Sequence, residues 1–176
     1  SISPCMGSTA TIALTASGSN LTFQWEKDGN PLLGTNTPNL VLTYVTSGSS
    51  GLYRCIVNGA AGCSGTSSNA VLVSVQTKVD IAVHPEELVT GIGRTALLSI
   101  EATQTTGVTY QWYRGVPGGT TTALTDNNRI TGTQSNTLSV RNVQFADLGS
   151  DYYCVVTSTC GATTSKFGAL KTGTVS

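Results

Sequence analysis

The stretch Asp147-Leu148-Gly149-Ser150-Asp151-Tyr152-Tyr153-Cys154-Val155-Val156 decides how the chain is read. A tight acidic turn runs into a strand that carries Tyr, one intervening residue and Cys. A weaker copy stands upstream as Ser50-Gly51-Leu52-Tyr53-Arg54-Cys55-Ile56-Val57. Each copy follows a lone tryptophan, Trp25 or Trp112, inside a strand-like run. Val108-Thr109-Tyr110-Gln111-Trp112-Tyr113-Arg114 matches Leu21-Thr22-Phe23-Gln24-Trp25-Glu26-Lys27 position for position. Two copies of one design predict two domains of one kind, residues 1–77 and 78–176.

Outward from these strands the pattern stays at a period of two, the signature of half-buried strands. Ala10, Ile12, Leu14 and Ala16 share one face, Leu40 and Leu42 another, and Leu98 and Ile100 a third. Asp28-Gly29 before Pro31 reads as a turn, since both suit positive φ and Pro31 cannot enter a central strand. No stretch has helical periodicity. The interval from Trp112 to Cys154 exceeds that from Trp25 to Cys55, which predicts extra edge-strand or loop material around residues 117–128. Gln76-Thr77-Lys78 is a short junction without a flexible Gly/Ser tract, so limited freedom between the domains is expected. Val79–Val83 reads as an opening strand of the second domain. The first domain has no such strand, because Ser1 lies only a few residues before the Gly7-Ser8 turn. An open edge beside its last strand is the expectation, one that a neighbouring subunit's strand could fill to give a fibre.

The charge balance removes several function classes. Nine Lys and Arg cancel nine Asp and Glu, and charged residues make up 10% of the chain, against about 25% in ordinary soluble proteins. No field exists to attract nucleic acid or an anionic membrane. No run of 18 apolar residues occurs, so no transmembrane helix is expected. The chain begins at Ser1 without an initiator Met and reads as a processed or truncated piece. Five cysteines in a charge-poor, Thr-rich β protein point to an oxidising, extracellular compartment, and an odd count leaves at least one without a partner in the chain.

Catalysis finds little to work with. His84 is the single histidine and precedes Pro85; no nucleophile-elbow motif accompanies it. The acids are scattered, the cysteines lack Cys-x-x-Cys spacing, and no phosphate-binding glycine motif occurs. The reading is therefore not an enzyme, with no metal and no cofactor. Tyr113 and Tyr153 are candidates for an exposed contact patch, since tyrosine is enriched at interfaces. The alternative is a cross-strand pair that stiffens a sheet.

Short alternating strands, a Trp in the third, and Tyr-x-Cys late in each domain resemble the immunoglobulin-like sandwich. The fold class is thus all-β, two tandem immunoglobulin-like β-sandwiches. Trp25 and Trp112 correspond to the buried Trp of strand C, and Tyr53 and Tyr152 to the corner tyrosine of strand F. Trp25 to Leu32 resembles the C–C′ turn of intermediate-set domains. Arg129-Ile130-Thr131-Gly132 with Asp147 resembles the variable-set arrangement, which implies an Arg129–Asp147 salt bridge. The strand B cysteine is missing, its places held by Leu14 and Ile100. Cys5-Met6-Gly7-Ser8, Tyr110-Gln111-Trp112 and Cys160-Gly161 resemble the Ig-like repeats of secreted bacterial surface proteins of the Bacteroidota type. Within 78–176 an internal disulfide can join only Cys154 and Cys160, across a hairpin that would have to bulge. By analogy Cys55 would join Cys63, leaving Cys5 unpaired or bonded to another chain. The other option is that the strand F cysteines stay reduced in the core.

The function that follows is an extracellular structural or interaction module: an adhesin stalk, or a fibre subunit whose partners are proteins or further copies. Two alternatives stand beside it. One is a phage or virion decoration or fibre protein. The other is a carbohydrate-binding accessory region of a secreted enzyme.

Overall fold

Trp25 sits opposite Cys55 across a pair of antiparallel strands, and Trp112 sits opposite Cys154 in the same way. In the computed structural model, which describes residues 1–60 and 65–173, each pair is the centre of a separate core. The chain divides into unit 1, Ser1–Thr77, and unit 2, Lys78–Ser176.

Unit 1 contains β1 (Ala10–Ala13), β2 (Thr22–Lys27), β3 (Asn30–Pro31), β4 (Asn39–Leu42), β5 (Gly51–Asn58), β6 (Thr66–Ser67) and β7 (Val71–Val73). One sheet has the order β3-β2-β5-β6, with β7 also on β5; the other is the pair β1-β4. The period-two pattern does the sorting: Ala10 and Ile12 are buried while Thr11 and Ala13 face solvent. Ile12, Trp25, Leu40, Tyr53, Cys55 and Val73 fill the space between the sheets. Lys27 and Asn30 face each other across a two-residue turn in which Asp28 (φ 50°) and Gly29 (φ 81°) are both left-handed. That conformation matches the twist of a tight hairpin.

Unit 2 contains β8 (Ile81–Val83), β9 (Glu87–Val89), β10 (Ala96–Ser99), β11 (Glu101–Ala102), β12 (Thr109–Gly115), β13 (Thr121–Ala123), β14 (Ile130–Thr131), β15 (Thr137–Val140), β16 (Gly149–Ser158), β17 (Gly161–Thr164) and β18 (Gly168–Lys171). Its large sheet runs β13-β12-β16-β18-β9, with β17 on β16. Opposite lie β10-β15-β14 and the pair β11-β8. The opening segment changes sheets: β8 joins β11, His84-Pro85 interrupts, and β9 runs parallel to β18. The added residues before β15 make β13 a longer counterpart of β3 and supply β14, which has no counterpart among the described residues of unit 1.

The expectation of an open edge beside the last strand of unit 1 is corrected. The chain's own first residues lie there, parallel to β7 and its continuation, with bridges Ile2–Val73 and Cys5–Gln76. Ile2 N–H donates to Leu72 O at 2.9 Å, Ser74 N–H to Ile2 O at 3.0 Å, Gln76 N–H to Pro4 O at 2.8 Å, and Met6 N–H to Gln76 O at 2.8 Å. Pro4 has no N–H to give, but its carbonyl accepts, and Ile2 packs against the core. The segment is too short and too irregular to show alternation in the sequence.

Candidate interaction surfaces

The signature residues form a pin at the turn that enters β16. Gln144 to Asp147 makes a 3-10 turn in which Asp147 Oδ2 accepts the Gln144 N–H at 2.8 Å. Arg129, one residue before β14, reaches Asp147 from the neighbouring strand: Nη1 to Oδ2 at 2.7 Å and Nη2 to Oδ1 at 3.1 Å. The Asp147 side chain is 8% exposed and the Arg129 side chain 32%. The Arg129 guanidinium, helped by the Gln144 N–H, holds the Asp147 carboxyl below the usual range, against the opposing effect of burial. Tyr152 O–H donates to Asp147 O at 2.7 Å, and burial pushes this phenol up to about 12. Arg114 lies over the Tyr152 ring, 4.8 Å from its centroid, and bonds Asp151 and the Ala146 carbonyl. Unit 1 has the short form: Tyr53 O–H donates to Ser49 O at 2.8 Å, and Ser49 Oγ accepts the Thr46 N–H. Ser49 stands where Asp147 stands, and among the described residues of unit 1 no strand carries a counterpart of Arg129. The polar atoms of both pins are saturated by one another, which makes them structural.

The cysteine pairings differ from the expected ones. Cys55 and Cys154 are free thiols, each 0% exposed. Burial pushes the Cys154 thiol up to about 12 and raises Cys55 as well. Neither Cys154–Cys160 nor Cys55–Cys63 forms, and the reason is register. Ser158 faces Gly161, so Thr159-Cys160 is a tight turn without the bulge that a bond would need. The residue beside Cys154 is Ser165, whose N–H donates to Cys154 O at 2.8 Å; beside Cys55 it is Ser68. Cys5 and Cys160 are each disulfide-bonded, so Cys5 is not the unpaired residue. Cys63 lies outside the described residues.

The tyrosine patch is corrected too. Tyr113 and Tyr153 stack across β12 and β16 with centroids 5.3 Å apart and planes at 11°. Phe167 closes edge-on at 5.8 Å, and Tyr153 is only 4% exposed. The pair stiffens the sheet and leaves little of Tyr153 to a partner. His84 has a local task, with Nδ1 accepting the Lys166 N–H at 3.2 Å. Among the described residues no group of His, Cys, Asp or Glu could hold a metal ion.

Two surfaces in unit 1 escaped the sequence reading. The first is an open groove of about 650 Å³ lined by Leu14, Ala16, Leu21, Val57 and Ala60, with Thr66 to Ser68 on its rim. Among the described residues no aromatic ring lines it. The second is the β1-β4 sheet. The charged residues of unit 1 are Glu26, Lys27, Asp28 and Arg54, all on β2, its turn and β5; residues 1–25 and 29–53 contain none. Tyr44, just beyond β4, is 76% exposed and held at φ 50°. Its counterpart Asn142 is held at φ 47°, where asparagine is at ease and tyrosine is strained. Tyr44→Asn is expected to stabilise unit 1 by about 0.5–1 kcal/mol, read as a higher urea midpoint with unchanged slope. A lower midpoint would mean that the Tyr44 ring contributes more to the fold than its backbone strain removes.

Comparison with known proteins agrees with this architecture. Residues 86–167 match the family model described as "Immunoglobulin domain". The chain is 29% identical over 158 residues to human "Cell adhesion molecule DSCAML1", covering 86% of this chain and 7% of that protein. It is 30% identical over 166 residues to "Protein sidekick" of Drosophila melanogaster, covering 88% of this chain and 7% of that protein. The chain thus spans a small part of each relative. These relatives are animal proteins, whereas the residue pattern resembled bacterial surface repeats. An I-band fragment of titin superimposes with a TM-score of 0.77 at 17% identity, covering 98% of this chain and 62% of the fragment, and shows the fold alone. The chain is a tandem of two immunoglobulin-like domains.

Proposed function

We propose that this chain is an adhesive module of an extracellular surface protein, binding protein partners through the uncharged surface of unit 1. The observation that carries the reading is similarity running through both domains to proteins of which one is named a cell adhesion molecule. The disulfide-bonded Cys5 and Cys160 agree with an oxidising compartment. The low charge agrees with surfaces meant to be covered by protein rather than by water alone. A bacterial surface protein has the pattern around Cys5 and Cys160-Gly161 as its support, and an adhesive role is common to both sources. Beads coated with the chain at controlled density test the proposal. They are expected to cluster with one another or to bind a cell surface. Beads that stay dispersed and bind no cell would remove it.

A further inference from the structure

We propose that unit 1 pairs with a second copy of the chain along the outer edge of β4, the two Asn39–Thr43 segments running antiparallel about a twofold axis at Val41. This deepens the adhesive reading, on which it rests, by naming the partner and the strand.

The comparison that leads to it lies within the chain. Leu14 N–H donates to Pro38 O at 3.0 Å, and at the matching place in unit 2 Ile100 N–H donates to Asn136 O at 2.9 Å. The registers agree, Ile12 facing Leu40 and Leu98 facing Leu138. Backbone groups alternate in direction along a strand. Leu40 and Leu42 therefore turn theirs toward β1, while Asn39, Val41 and Thr43 turn theirs away. In unit 2 the corresponding outward groups are met by β14: Thr131 faces Ser139, and Arg141 N–H donates to Arg129 O at 2.8 Å. In unit 1 the residues between β3 and β4 hold no strand, and among the described residues β4 pairs with β1 alone. A strand position occupied in one domain is vacant in the other.

Side chains argue for the same occupant. Proteins ordinarily guard an open edge with Lys, Glu, a bulge or an inserted Pro. The outward stretch of β4 has none of these, and Pro38 stands just before it. On a twofold axis the segment complements itself: Val41 meets Val41 of the other copy and Asn39 meets Thr43. Val41 is 52% exposed, free to be covered. About six backbone N–H···O bonds would close the seam. The chain's zero formal charge sets no repulsion against a second copy.

Sedimentation velocity on the whole chain over a concentration series is the test, with Val41→Lys and Val41→Thr beside it. A concentration-dependent dimer is expected. Val41→Lys, which sets two like charges face to face, should weaken it at least about tenfold, while Val41→Thr should retain it. Thermal unfolding checks that unit 1 stays folded in both. Val41→Cys should cross-link the copies under mild oxidation faster than Leu72→Cys, an exposed apolar position on the other sheet. A monomer at every concentration, a dimer indifferent to Val41→Lys, or equal cross-linking at both cysteines would overturn the proposal. Bead clustering that survives Val41→Lys keeps the adhesive reading and removes this one. A Val41-dependent dimer in solution without bead clustering does the reverse.

Discussion

Replacing Trp112 with alanine is expected to lower the melting temperature of unit 2 by more than about 12 °C and to leave that of unit 1 in place. Trp112 is 0% exposed and sits in the core with Leu98, Ile100, Leu138, Cys154 and Leu170. Truncating a buried tryptophan removes its transfer energy and leaves a cavity, together about 3–5 kcal/mol. In a domain of this size each kcal/mol moves the midpoint by about 4–8 °C. A second loss accompanies the first: Nε1–H donates to Ser135 O at 2.9 Å, and alanine leaves that carbonyl without its donor. Trp112→Phe separates the two effects, since it keeps most of the ring volume and loses only the hydrogen bond and the remaining fill. It should fall well short of the alanine variant. Calorimetry resolves the outcome, because each unit has its own core. An unchanged unit 2 transition in Trp112→Ala would mean that the sheets are held together elsewhere.

Asp147→Ala should destabilise unit 2 by about 2–3 kcal/mol, the range for losing hydrogen bonds to a charged group. Three hydrogen bonds depend on this carboxylate, two from the Arg129 guanidinium and one from the Gln144 N–H. The carboxyl's folded pKa lies below its ordinary value near 4. A depressed folded pKa contributes stability that is fully present above the unfolded pKa and lost as pH falls through the folded one. Wild-type unit 2 should therefore lose stability below about pH 4, and Asp147→Ala should lose less of it on the same descent. Asp126, lowered mainly by its hydrogen bond from Thr133, adds to the acid limb in both proteins, so the difference between them isolates Asp147. Urea midpoints between neutral pH and pH 3 give the result. Parallel pH profiles would show that the pair is indifferent to folding.

The repeated Trp and Tyr-x-Cys strands were readable because burial imposes a period of two on strands and every sheet partner repeats it. The Arg129–Asp147 contact was readable only through the resemblance of these residues to the variable-set arrangement. The cysteines were not, since pairing depends on hairpin register. A single tight turn at Thr159-Cys160 places Cys154 beside Ser165, and nothing in spacing alone announces it. Ile2 to Met6 escaped for a related reason: parallel bridges to β7 leave no alternation behind. Tyr153 looked outward by parity with Tyr113, and Phe167, fourteen residues on, covers it. The surface of unit 1 carried a signal that went unread. Two uncharged runs, 1–25 and 29–53, mark the β1-β4 sheet plainly once its partner strand is seen to be missing.

The two free thiols among the described residues give the molecule an internal clock. One lies at the centre of each sandwich, and neither presents sulfur to solvent while its domain is closed. Alkylation proceeds through the thiolate, which burial suppresses further at both sites. An added alkylating reagent therefore records only the moments when a sandwich opens. Digestion and mass measurement of the Cys55 and Cys154 peptides would count those moments separately in one sample. The opening free energies of two neighbouring domains can thus be followed side by side, without denaturant and without an introduced label.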